Sequence, residues 1–69
     1  MENIRDCKGH LVCKVEPSSG SVEAVYKKQL TATTLAVGAM FIIERDGVRT
    51  TLTRKSNMEI NVDSYEFPA

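Results

Sequence analysis

Charge of one sign is the first thing this chain lacks: nine Lys and Arg balance nine Asp and Glu, leaving a formal net charge of zero. A neutral chain sets up no overall field to gather nucleic acid or an anionic membrane. Aromatic side chains are scarce too, Tyr26, Phe41, Tyr65 and Phe67 being the full set. They do not interleave with the basic residues, as the stacking platforms of single-strand binders do. Histidine occurs once, at His10, and cysteine twice, at Cys7 and Cys13. No apolar run is long enough to cross a bilayer as a helix. The longest charge-free stretch, Gln29 to Ile43, is interrupted by Gly38 and by Thr31, Thr33 and Thr34. The polar, acidic start, Met1 to Asp6, has no apolar signal-peptide core, so a cytoplasmic location and no membrane contact are expected. In that compartment both cysteines are expected as thiols.

Sixty-nine residues make one domain, spanning residues 1–69. A chain this short buries only about 60% of its unfolded surface. Its stability is therefore marginal, and self-association is a route to more buried area.

What the chain does have is a two-residue apolar period broken by turn residues. Leu11, Cys13 and Val15 alternate with His10, Lys14 and Glu16, and only Val12 breaks the pattern. Pro17-Ser18-Ser19-Gly20 is a turn, after which Val22, Ala24 and Tyr26 alternate with Glu23, Val25 and Lys27. Phe41 to Arg45 and Val48 to Arg54 flank Asp46-Gly47, a pair that suits a type I′ hairpin because both its central residues need positive φ. Ser56-Asn57 makes a further turn before Met58, Ile60 and Val62 alternate with Glu59, Asn61 and Asp63. At the start, Lys8-Gly9 turns the chain so that Cys7 pairs with His10 and Cys13 with Ile4. For Leu30 to Val37 the threonines favour a strand, while Leu30, Thr33, Thr34 and Val37 also fit one helical face. The fold expected is all-β: five or six short antiparallel strands in a meander, either a curled sheet or a small barrel.

Cys7-x-x-His10-x-x-Cys13 has the look of a metal motif, but zinc needs about four converging ligands. His10 and Cys13 sit three apart on one strand, so they leave opposite faces, and no further cysteine or histidine completes the set. The same register holds Cys7 too far from Cys13 for a disulfide. Nucleophilic catalysis would need a base beside Cys or Ser, and no orienting group or oxyanion loop accompanies His10. No enzyme activity, metal or cofactor is expected.

Two surface features remain. Arg45, Arg49, Arg54 and Lys55 belong to one hairpin and its exit, and Lys27-Lys28 is a second basic pair. A basic β-ribbon can lie on a phosphate backbone, although a solvated outer face is the ordinary role of such residues. Phe41, Ile42 and Ile43 send apolar side chains to both faces of one strand. One face meets the core; the other needs cover from elsewhere in the chain or from a partner.

The phrase Ile4-Arg5-Asp6-x-x-Gly9-x-Leu11-Val12-Cys13-Lys14-Val15, followed by Gly20-x-Val22-Glu23 and Tyr26-Lys27, resembles short uncharacterised proteins encoded on mobile elements of Gram-positive gut bacteria. A looser echo lies in Glu44-Arg45-Asp46-Gly47 and Thr53-Arg54. The resemblance implies a small cytoplasmic accessory or regulatory protein and carries over no functional residues. Together these features favour a non-enzymatic module that binds itself, as a homodimer, or another protein through Phe41, Ile42 and Ile43. The alternative is a small nucleic-acid-binding β-protein using Arg45, Arg49, Arg54 and Lys55.

Overall fold

A computed structural model describes residues 1–26 and 28–67. These residues form seven strands: β1 Glu2–Arg5, β2 Leu11–Glu16, β3 Ser21–Tyr26, β4 Gln29–Thr34, β5 Met40–Arg45, β6 Val48–Ser56 and β7 Glu59–Glu66. They divide into two antiparallel sheets, β1-β2-β3-β4 and β5-β6-β7, with each strand beside its neighbour in the chain. The all-β reading and the sequential order of strands hold. The strand count rises to seven, and the sheets stack face to face instead of curling into one sheet or closing as a barrel. Alternation and turn residues identify strands, but they do not say where a meander changes layer.

The change of layer occurs at Leu35 to Ala39. Leu35 is buried, and its N–H donates to Gly20 O at 2.8 Å, which pins the chain as it leaves the first sheet. Gly38, at φ 90°, then turns the chain onto the second. The stretch from Leu30 that fits both strand and helix is strand through Thr34, and no helix occurs among the described residues.

Side chains from both sheets fill the space between them. Val12, Cys13, Val15 and Val22 meet Leu52 and Leu35, with Phe41, Ile43 and Ile60 packed around them. Burying each such aliphatic side chain contributes about 1.5–3 kcal/mol, the main favourable term in a fold this small. Val12, the residue that breaks the alternation, sits at a β-bulge: Arg5 pairs with Leu11 and Ile4 with Cys13, leaving Val12 unopposed. The bulge shifts the phase of β2, so Val12 and Cys13 are both buried while Leu11 is exposed.

Turn chemistry sets the registers. Asp46 and Gly47 have φ of 52° and 76°, as a type I′ turn requires. The first hairpin departs from expectation, because Asp6 and not Cys7 closes it. Asp6 N–H donates to His10 O at 2.9 Å, and Asp6 Oδ1 accepts the N–H groups of Lys8 and His10, each at 2.9 Å. An Asp that caps its own turn this way outcompetes a two-residue turn at Lys8-Gly9. The last turn falls on Asn57-Met58, one residue later than the sequence suggests, because a register shift leaves Lys55 unopposed and pairs Ser56 with Glu59. Lys27, expected at the end of β3, lies outside the described residues.

Candidate functional site

The two long sides of the sandwich differ. On one side lie β1 and β7, whose edges carry Glu2, Arg5, Glu59, Asp63 and Glu66. The turn after β1 is tied to β7: Cys7 N–H donates to Ser64 Oγ at 3.0 Å, and Lys8 Nζ approaches Glu66 at 3.6 Å. On the other side lie β4 and β5. β4 has no charged residue and is exposed along its whole length, and β5 is charged only at its end, by Glu44 and Arg45. Proteins protect free strand edges with charge, and this side has little.

Between β3, β4 and β5 runs a groove of about 280 Å³, lined by Ala24, Tyr26, Gln29, Thr31, Phe41, Ile42, Ile43 and Arg45. The first sheet has one strand more than the second, so nothing in the second sheet covers the inner face of β4. The groove is the opening left by that mismatch.

The structure separates the three residues singled out on β5. Phe41 and Ile43 pack against the core, opposite Leu52 and Thr50 of β6. Ile42 and its face neighbour Met40 point outward, 52% and 58% exposed. Arg45, in phase with Phe41 and Ile43, reaches back across the groove's end: its guanidinium stacks 4.1 Å from the Tyr26 ring centroid and donates to Val25 O at 3.5 Å. Among the described residues no carboxylate lies within ion-pair distance of it.

The four basic residues of the hairpin do not form one surface. Arg49 is on the outer face, where its guanidinium bonds Glu44 at 3.0 and 3.3 Å and Tyr65 Oη at 3.3 Å. These partners favour its charged form and raise its pKa. Arg54 is on the inner face and only 8% exposed; Nη1 donates to Leu35 O at 2.8 Å and Nη2 to Ser18 O at 3.1 Å. It joins the turn after β2 to the loop between the sheets. Lys55 is exposed.

A second apolar area lies on the outer face of the first sheet, where exposed Leu11, Val25 and Leu30 gather. Val25 pairs directly with Leu30 across the β3–β4 ladder. Reading Leu30 onward as a strand puts Leu30 on a ladder, but only the register of the pairing sets it opposite Val25. A depression of about 110 Å³ at the β2 bulge, lined by Leu11, Lys14, Glu23 and Val25, borders it.

Cys7 is exposed and Cys13 buried, and both are free. Burial pushes the Cys13 thiol up to about 11 against the opposing charge of Arg45, so it is protonated and a poor nucleophile at neutral pH. His10 pairs with Asp6 at 3.7 Å. Burial raises the Asp6 pKa, but the N–H groups of His10 and Lys8, with the nearby charges, bring it below the ordinary carboxylate value. Asp6 is thereby committed to closing its turn. No cluster of three or more His, Cys, Asp or Glu side chains suited to a metal occurs among the described residues.

No family model matches the sequence, no curated protein is similar to it, and no solved structure matches its fold. The reading of function therefore rests on the molecule's own surface. Among the described residues, no helix is long and apolar enough to cross a membrane.

Proposed function

We propose that this protein is a non-enzymatic protein-interaction module, accessory or regulatory in role, that docks through its β4/β5 side. The observation that carries this reading is the asymmetry of the sandwich. Its β1/β7 side is charged and cross-tied, whereas its β4/β5 side leaves two weakly charged strand edges, an open groove, and Met40 and Ile42 exposed. Free edges of this kind are templates for pairing with another chain. The partner is a second copy or another protein. The dispersal of Arg45, Arg49 and Arg54 over two faces, with Arg54 committed to backbone carbonyls, gives phosphate no common surface.

Photo-cross-linking in the native cell tests this. A benzophenone amino acid at Met40 should yield protein adducts, and a second substitution, Ile42→Lys, should abolish them. The same probe at Glu59, on the far edge of the same sheet, should yield none. Adducts at Met40 that are removed by nuclease, or the absence of any adduct, would overturn the reading.

A further inference from the structure

The shape and charge of the groove specify what kind of chain enters it. Arg45 and Val48 flank the two-residue turn and so exchange hydrogen bonds. Ladder bonds alternate along an antiparallel pair, so Phe41 and Ile43 also bond to β6. The bond from Arg54 N–H to Ala39 O, at 3.1 Å, is in the same phase. Met40, Ile42 and Glu44 therefore direct their N–H and C=O groups away from β6, along the free edge.

A strand laid beside β5 would lie about 4.8 Å from it in the plane of the second sheet, and about 10 Å above the uncovered inner face of β4. That position is the missing eighth place of a four-on-four sandwich. A second copy offering its own β5 across a two-fold axis does not fit there. It would bring its own four-stranded sheet in the same layer as β1–β4, and its β4 would run into ours. A single extended segment without a second layer meets no such obstacle.

Charge places the acidic residue of that segment, and antiparallel pairing, the mode of both ladders in the second sheet, gives its direction. Arg45 stands at the groove's end with Tyr26 and a backbone carbonyl as neighbours and no carboxylate within ion-pair distance among the described residues. Resting on the protein-interaction reading above, we infer that the groove binds an extended peptide segment. It adds antiparallel to β5 as the eighth strand, with an acidic residue near its N-terminal end opposite Arg45. Its inward side chains pass over Gln29 and Thr31, and its outward ones extend the apolar surface of Met40 and Ile42.

Amide NMR of the full labelled chain tests the inference with the peptide acetyl-Glu-Thr-Val-Val-Thr-Val-amide. Saturable shifts and slowed hydrogen exchange are expected at the amides of Met40, Ile42 and Glu44. Replacing the peptide's Glu by Gln should weaken binding by about two- to five-fold, the worth of one cross-strand charge pair. In Arg45→Gln the two peptides should bind alike. N-methylating the peptide nitrogens that face β5 should abolish binding, a control independent of any folding defect. Ile42→Pro, which removes an outward N–H and no ladder bond to β6, should do the same with the amide signals of the first sheet unchanged. No saturable shifts, shifts centred on Leu11, Val25 and Leu30, or equal binding of the N-methylated peptide would overturn the inference. Cross-links from Met40 with no peptide response would leave the interaction reading standing and sink the strand-addition model alone.

Discussion

Replacing Arg54 by Met removes a buried cation while keeping much of its aliphatic bulk. In the wild type two charge-assisted bonds, to Leu35 O and Ser18 O, hold the guanidinium in a site where the residue is 8% exposed. Hydrogen bonds to charged groups contribute about 1.5–3 kcal/mol each, a gross loss of about 3–6 kcal/mol. Part of this is offset, because Met carries no desolvation penalty and Arg54 Nε is already buried without a partner. The two carbonyls left behind raise the cost again, by a share of the penalty for unpaired buried acceptors. The net expectation is a loss of about 2–4 kcal/mol, a large part of the margin of a small domain. Arg54→Lys retains the charge but forfeits the two-carbonyl fork, and should lose about half as much. Urea titration followed by far-UV circular dichroism measures both, with Lys55→Met as the exposed control expected within about 0.5 kcal/mol of wild type. An Arg54→Met variant as stable as that control would refute the reasoning and return Arg54 to the surface role its sequence position suggests.

Gly20 and Gly47 both have positive φ, 79° and 76°, but differ in surroundings. A Cβ at Gly47 meets nothing within 4 Å, so Gly47→Ala should cost about 1 kcal/mol of left-handed strain. A Cβ at Gly20 would collide with Leu35 O and lie 2.8 Å from Arg54 Nη1, so Gly20→Ala should cost about 3 kcal/mol or more by also breaking the Arg54 contact. Equal thermal midpoints for the two variants would contradict this. With a thiol-specific chromogenic reagent at pH 8, Cys7 should react at once and Cys13, held up to about 11 by burial, only on the timescale of opening. Two equally fast thiols would show that the inter-sheet core is not closed around Cys13.

Much of the local structure was legible because it rests on local chemistry. Asp46-Gly47 announced its hairpin, and the pairing of Ile4 with Cys13 came out as read. Even the single break in the alternation, Val12, marked a real event, the bulge that leaves Leu11 exposed. What escaped the sequence was non-local. The split into two sheets depends on Leu35 docking under Gly20, a contact between residues with no periodic relation. Arg54 reads as one more surface cation until the carbonyls of Ser18 and Leu35 are seen converging on it. Asp6 capping its own turn displaced Cys7 from the pairing with His10, which two-residue turn logic could not foresee. Of the candidate interface, the sequence showed that Phe41, Ile42 and Ile43 serve two faces; only burial showed that Phe41 and Ile43 point inward and Ile42 outward.

The single crossing between layers at Leu35–Ala39 has a consequence for how the molecule can be taken apart. Residues 1–34 supply every strand of one sheet and residues 40–67 every strand of the other. Cleaving the backbone between Ala36 and Val37 cuts no ladder, and among the described residues the two halves remain joined by the inter-sheet core, the Arg54 fork, the bond from Ala39 N–H to Ala36 O, the contacts of Arg45 with Val25 and Tyr26, and the ties between the first turn and β7. Fragment complementation at that bond would convert folding into a bimolecular association. The dissociation constant of the halves would then read out directly how strongly the two layers of this sandwich hold each other.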